Sequence, residues 1–151
     1  MLLPHCLMAA VLSGQVVAIS DGDTVKVLDE SKQLHTIRLM GIDAPEKAQP
    51  FGQRSKQSLS SLIYLQQVRV HWDKKDKYGR IVGQIRDLAG VDICLGQIKR
   101  GMAWHYKQYM KEQSPEDQES YAKAEEIARQ ESIGLWAEKS PTPPWIWRKQ
   151  K

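Results

Sequence analysis

Asp21, Asp23, Asp43 and Glu46, with Arg38 and Arg80, are the residues of this chain whose types and spacing could do chemistry. They fall in or beside three short stretches: DGDT at 21–24, GIDAPE at 41–46 and DKYGR at 76–80. Carboxylate oxygens are the ligands that hard divalent cations such as Ca2+ prefer, commonly together with main-chain carbonyls and water. Guanidinium groups grip phosphate bidentately. Carboxylates and arginines together suit the splitting of a phosphodiester. A cation polarises a phosphoryl oxygen, a carboxylate positions or deprotonates water, and the arginines neutralise charge on five-coordinate phosphorus.

Each stretch also has a plainer reading. Asp-Gly between strand-like runs is a turn signal, in which glycine takes positive φ and aspartate bonds locally. The further acids of an EF-hand loop do not follow it. Asp43 to Glu46 makes a respectable helix entry, and equally a stiff run in which Pro45 keeps Ala44 extended between two carboxylates. Lys74, Lys75, Lys77 and Arg80 around Tyr78 read as a solvated hairpin tip, or as a loop for phosphate contact and base stacking. The combination carries more than any single stretch. Independent turns have no need of Asp23, Arg38, Asp43, Glu46 and Arg80 each at a strand end or loop edge.

The elements that must position this set read as a small barrel with helices. Gln15–Ser20, Thr24–Leu28, Gln33–Met40, Gln67–Trp72 and Arg80–Asp87 have strand character. In the third run Leu34, Thr36, Arg38 and Met40 share one face and Ile37 and Leu39 the other, so Arg38 needs a partner or a ligand. Phe51, Ser55, Leu59, Leu62 and Ile63 mark one face of a first helix. Asp92 caps a second, ending near Gly101. Ser114, Pro115 and Asp117 open a third with a capping-box pattern, expected to run to about Gly134. The tail SPTPPWIWRKQK is proline-broken, aromatic and basic, and is expected to lie extended on the surface.

A chain of 151 residues suits one domain with a real core, and a formal charge of +4 leans toward polyanionic partners. Cys94 reads as a small buried hydrophobe, and Cys6 and Cys94 lack zinc-ligand spacing. His5, His35, His71 and His105 are likewise scattered and take no catalytic role. The apolar run MLLPHCLMAAVL is too short to span a bilayer. It precedes small residues as a signal-peptide remnant would, yet lacks a basic n-region, and Pro4 and His5 interrupt it. Export and cytoplasmic residence both stay open, with a secreted or periplasmic home slightly favoured because it would supply calcium.

DGDT, IRLMGIDAPE, DKYGR, GMAWHYKQY and IGLW, in this order from about Gln15 to Glu138, resemble the staphylococcal nuclease (thermonuclease) family. The resemblance implies an α+β fold, a five-stranded OB-type β-barrel with three α-helices. It implies Ca2+-dependent hydrolysis of DNA and RNA to 3′-phosphate products by a monomer without stable membrane association. Asp23 and Asp43 would bind Ca2+ through carboxylates and Ala44 through its carbonyl, with Asp21 as an outer-sphere neighbour. Glu46 would be the general base, Arg38 and Arg80 the phosphate-gripping arginines, and Lys77, Tyr78 and Tyr109 nucleotide contacts. Trp136 would have a packing role. Lys107 stands where the family has a second nucleotide-binding tyrosine, with Tyr106 close by. The organisation expected is an N-terminal segment 1–14, a nuclease domain 15–138 and a tail 139–151. The rival is a non-catalytic nuclease-like module that binds nucleic acid, although degenerate copies lose acids and arginines that this chain retains.

Overall fold

The computed structural model describes residues 10–150. The N-terminal segment read above, apart from its last residues, lies outside them. β1 (Ala10–Asp21), β2 (Thr24–Asp29) and β3 (Leu34–Leu39) form an antiparallel meander. After the two-residue strand β4 (Ile42–Asp43) and helix α1 (Gly52–Ile63), β5 (Gln67–Lys75) and β6 (Ile81–Asp87) form a hairpin. β5 returns antiparallel to β1 and β6 lies parallel to β3, which closes a barrel in the order β1-β2-β3-β6-β5. The parallel pair is possible because α1 and β5 form the long crossover it requires. Closure leaves this sheet without an unpaired edge. The expected five-stranded barrel is present, with its first strand beginning at Ala10 rather than Gln15.

Alternation fills the barrel. Val16, Val25, Val27, Ile37, Leu39, Val68, Val70, Ile81 and Ile85 are buried, and Leu59 and Ile63 of α1 and Ile93 and Ile98 of α2 (Ile93–Lys99) pack against them. Arg38, between Ile37 and Leu39, therefore points away from that core. Caps set the helix starts: Asp92 accepts from the Leu95 amide, and Ser114 accepts from the Asp117 amide at 3.1 Å to begin α3 (Pro115–Gln130). α3 stops at Gln130, before the expected Gly134. Ser132 and Gly134 both take left-handed backbone there and turn the chain into a short 3-10 segment, Gly134–Ala137. That turn drives Leu135 and Trp136 into a second apolar cluster with Trp104 and Ala128, the packing role expected for Trp136. Cys94 is a buried free thiol, as expected.

β4 pairs with β7 (Trp104–His105), Ile42 opposite His105 and Asp43 opposite Trp104. The ladder pins the acidic segment to the chain between α2 and α3.

The tail does not lie extended. Pro144 occupies the first position of a short helix, α4 (Pro144–Trp147), whose fixed φ suits that place. Pro144 is buried, the Trp145 ring meets Trp104 edge-on at 5.4 Å, and the Thr142 carbonyl accepts from the Gln49 side chain at 2.6 Å. Two tryptophans beside an apolar cluster were a burial signal that the prolines obscured.

Candidate active site

The turn between β1 and β2 presents Asp21, Gly22 and Asp23. Asp21 Oδ1 accepts from the Asp23 amide at 3.0 Å, a local Asx bond, so the turn reading holds. The reason for Gly22 is different from the one expected, because Gly22 does not have positive φ. A Cβ there would stand 1.8 Å from Ser55 Oγ and 2.9 Å from Ala44 Cβ. Glycine lets α1 and the Asp43–Glu46 segment close onto the turn.

Asp23 is buried and each of its oxygens is engaged. Oδ2 accepts from the Ala44 amide at 2.7 Å and Oδ1 from the Thr24 hydroxyl at 3.0 Å. Arg38 answers the partner question raised by its place in β3. Nη1 donates to the Leu39 and Ile42 carbonyls at 2.8 and 2.9 Å. Nη2 lies 3.5 Å from Asp23 Oδ2 and 3.4 Å from Asp43 Oδ1. One guanidinium thus joins two buried carboxylates from stretches twenty residues apart in sequence.

Charge is crowded here. Burial opposes ionisation of Asp23, but Arg38 and the hydrogen bonds around it outweigh burial and hold the carboxyl below its ordinary range. Burial, with the neighbouring Asp23 charge, pushes Asp21 up to about 7. Burial also raises Asp43, against the opposing pull of Arg148 and Arg38. Four acids, Asp21, Asp23, Asp43 and Glu46, share two guanidinium groups, Arg38 and Arg148, so carboxylate is in excess at this place. Among the described residues no three acidic, imidazole or thiol groups already surround one point as a ligand cage. Guanidinium groups stand between the acids instead. The Asp23 and Asp43 carboxylates and the Ala44 carbonyl are an all-oxygen donor set of the kind a hard divalent ion takes.

Glu46 lies at the mouth of the site. Its amide donates to the Gln49 side chain at 3.1 Å, and its carboxylate accepts from Arg148 Nη1 at 2.8 Å. Arg148 also binds Asp43 bidentately, Nη1 to Oδ1 at 3.1 Å and Nη2 to Oδ2 at 2.7 Å.

Arg80 contacts its own hairpin. Its Nε donates to Asp76 Oδ2 at 2.8 Å, and its guanidinium carbon lies 5.4 Å from the centre of the Tyr78 ring. Lys77 Nζ approaches the same exposed ring at 5.2 Å. With Leu34, His35, Thr36 and Lys75, Tyr78 and Arg80 line an open depression on the barrel wall. Tyr109 lies elsewhere, in a 3-10 segment (Lys107–Glu112), with its ring edge-on to Tyr106 at 4.9 Å. Tyr106 stacks on Trp145 at 5.5 Å with ring planes 7° apart.

Residues 36–138 match the family described as staphylococcal nuclease homologue. The chain belongs to the staphylococcal nuclease family. It is 38% identical over 145 residues to an Escherichia coli protein called an uncharacterized endonuclease, covering 96% of this chain and 90% of that one. A Haemophilus influenzae protein of the same description is 42% identical over 137 residues, covering 91% of this chain and 73% of its own. A Shigella flexneri protein called micrococcal nuclease is 37% identical over 146 residues, covering 90% of this chain and 80% of its own.

In this family member the structure brings Asp23, Arg38, Asp43, Ala44 and Glu46 into one connected network, and leaves Arg80, Lys77 and Tyr78 as a neighbouring group on the hairpin. Sequence reasoning missed three contributors. Ser55 and Gln97 buttress the turn from behind, Gln97 Nε2 donating to the Gly22 carbonyl at 2.9 Å and the Ser55 carbonyl at 3.1 Å. Arg148 enters from the tail. The signal for Gln97 was a polar residue on the inward face of an amphipathic helix. For Arg148 it was a lone arginine after two tryptophans, easily taken for part of a basic end.

Proposed function

We propose that this staphylococcal nuclease family member is a Ca2+-dependent nuclease that hydrolyses DNA and RNA to products ending in 3′-phosphates. The observation that carries the reading is Arg38 bridging Asp23 and Asp43, all three side chains largely buried where the barrel meets the Asp43–Glu46 segment. Ca2+ held by the Asp23 and Asp43 carboxylates and the Ala44 carbonyl would supply Lewis-acid polarisation of the phosphoryl group. Asp21, at the edge of the site, orders water beside it. Glu46 accepts the proton of the attacking water, which adds to phosphorus as the bond to O5′ breaks. O5′ leaves as an alkoxide that takes a proton from solvent water to become the 5′-hydroxyl, and the phosphate stays on the 3′ side.

Arg38 and Arg80 donate to the phosphoryl oxygens as charge accumulates on them, and one such donor is typically worth about 3–4 kcal/mol of transition-state stabilisation. Arg38 is pre-organised for this by the Leu39 and Ile42 carbonyls. The Asp76 bond uses Nε of Arg80, so its terminal nitrogens can take the phosphate. Lys77, Tyr78 and Tyr109 give the nucleotide a cation and stacking faces. A single strand, or a locally melted duplex, can offer the bases these contacts need.

Purified protein incubated with single-stranded DNA or RNA, with Ca2+ or a chelator, tests the reading. Calcium-dependent degradation to 3′-phosphate ends is expected. No degradation would overturn it in favour of a binding module, and full activity in both Arg38→Ala and Glu46→Ala would overturn the roles given to these residues.

A further inference from the structure

Arg148 does not belong to the stretches that carry the family resemblance, yet it makes the densest set of contacts to the acids. Its two terminal nitrogens engage both oxygens of Asp43, one of them also reaches Glu46, and Nη2 lies 3.4 Å from the Tyr106 hydroxyl. Charge-assisted, bidentate contacts of this kind are among the strongest hydrogen bonds a side chain makes. The Asp43 oxygens lie within hydrogen-bond reach of guanidinium nitrogens, Oδ1 of both Arg38 and Arg148 and Oδ2 of Arg148.

Separate anchors deliver the guanidinium to this place. Trp145 is fixed between Trp104 and Tyr106, the Trp147 ring lines a small cavity with Pro45 and Gln49, and Gln49 holds the Thr142 carbonyl. None of these anchors uses the carboxylates, so Arg148 can leave them without breaking any of these contacts. The Arg148 side chain itself is 37% exposed, which leaves it room to swing outward.

We propose that Arg148 is an internal cation that competes with divalent metal for Asp43. Its guanidinium seats on Asp43 and Glu46 when metal is absent and leaves Asp43 when metal binds. Two cations cannot both hold the same carboxylate oxygens, so apparent metal affinity is the intrinsic affinity multiplied by the fraction of molecules in which Arg148 is unseated. Release has a second effect, because Glu46 is freed from its ion pair in the same movement. The C-terminal segment thereby sets both the calcium threshold of the site and the availability of its proposed base. This inference rests on the calcium reading above.

Calorimetric titration of Ca2+ into nucleic-acid-free protein tests it without reference to activity. Arg148→Ala and Arg148→Gln should bind about tenfold more tightly than wild type, the equivalent of one charge-assisted hydrogen bond. Arg148→Lys should fall between them, and Lys149→Gln should match wild type, which separates competition at the carboxylates from a general loss of positive charge. In wild type, the Arg148 Nε–H resonance should shift in step with calcium occupancy. Equal affinities in wild type and the Ala and Gln variants, or an Arg148 resonance indifferent to calcium, would overturn the competition while leaving the calcium reading intact. Absence of calcium binding in every folded variant would overturn both together.

Discussion

Gln97, wholly buried in α2, donates its side-chain amide to the main-chain carbonyl of Gly22, 75 residues earlier in the chain. The same amide reaches the Ser55 carbonyl, and its oxygen accepts from the Ser58 hydroxyl at 2.7 Å. One side chain thereby locks the acid-bearing turn to both α1 and α2. Gln97→Ala would strand the buried Gly22 carbonyl, at a cost of about 1–3 kcal/mol for a polar group left unsatisfied. The expected outcome is a lower denaturation midpoint together with weakened calcium binding, measured on the same preparation. Unchanged affinity in a destabilised variant would show that the turn holds its shape unaided.

Gly22→Ala should act by crowding. The added methyl collides with Ser55 Oγ, and relief requires α1 to move away from the turn. Overpacking of this kind costs about 1–3 kcal/mol. Ser55→Gly in the same chain removes the obstructing side chain, so the double variant should recover part of the stability that Gly22→Ala loses. Additive losses would place the problem in the backbone instead.

Arg38→Lys keeps the charge but not the fork. A single ammonium cannot bond the Leu39 and Ile42 carbonyls and also stand between Asp23 and Asp43. Turnover should fall by about 10²–10³-fold, the loss typical of one preorganised donor. A decrease of only a few-fold would mean that local positive charge, rather than guanidinium geometry, serves the reaction.

Acid should weaken the fold through His105. The ring is buried and Nε2 lies 2.9 Å from Gln113 Oε1, while Nδ1 has no partner. Burial lowers its pKa, against the opposing influence of Gln113 and Glu125. The unfolded chain takes up a proton near about pH 6.5 and the folded one only lower. Stability from this residue is therefore complete above that value and lost as pH falls through the depressed folded value. Denaturation midpoints followed downward from neutral pH should drop in wild type and drop less steeply in His105→Gln; identical slopes would remove His105 from the account.

The parts of the site that were legible in sequence are those whose partners lie in short ordered stretches. Asp23, Arg38 and Asp43 were placed together, with Glu46 and Arg80, because each sits at a strand end or loop edge where a plain turn has no need of it. The five strands and the Asp92 and Ser114 caps followed from alternation and from side chains that bond within three residues. What was not legible depends on distant chain. Gly22 was explained by its own backbone, whereas Ser55 and Ala44 are the reason for it. Arg80 was grouped with Arg38 by residue type, and its bond to Asp76, four residues earlier, is a contact that residue type does not announce. Arg148 needs the burial of Pro144 and Trp145 before its direction has any meaning, and no local pattern announces where a tail will dock.

The parallel contact between β3 and β6 has a consequence for how the protein reaches this state. β1, β2 and β3 can meet through short turns, whereas β5 and β6 must cross back over the whole of α1 before the sheet closes. Contacts between residues far apart in sequence form slowly, because the intervening chain must be ordered first. The turn that carries Asp21 and Asp23 is thus available early in folding. Its buttress from α2 and the docking of the hairpin that bears Arg80 both need contacts far apart in sequence, so the assembled site depends on the long-range pairing that closes the barrel.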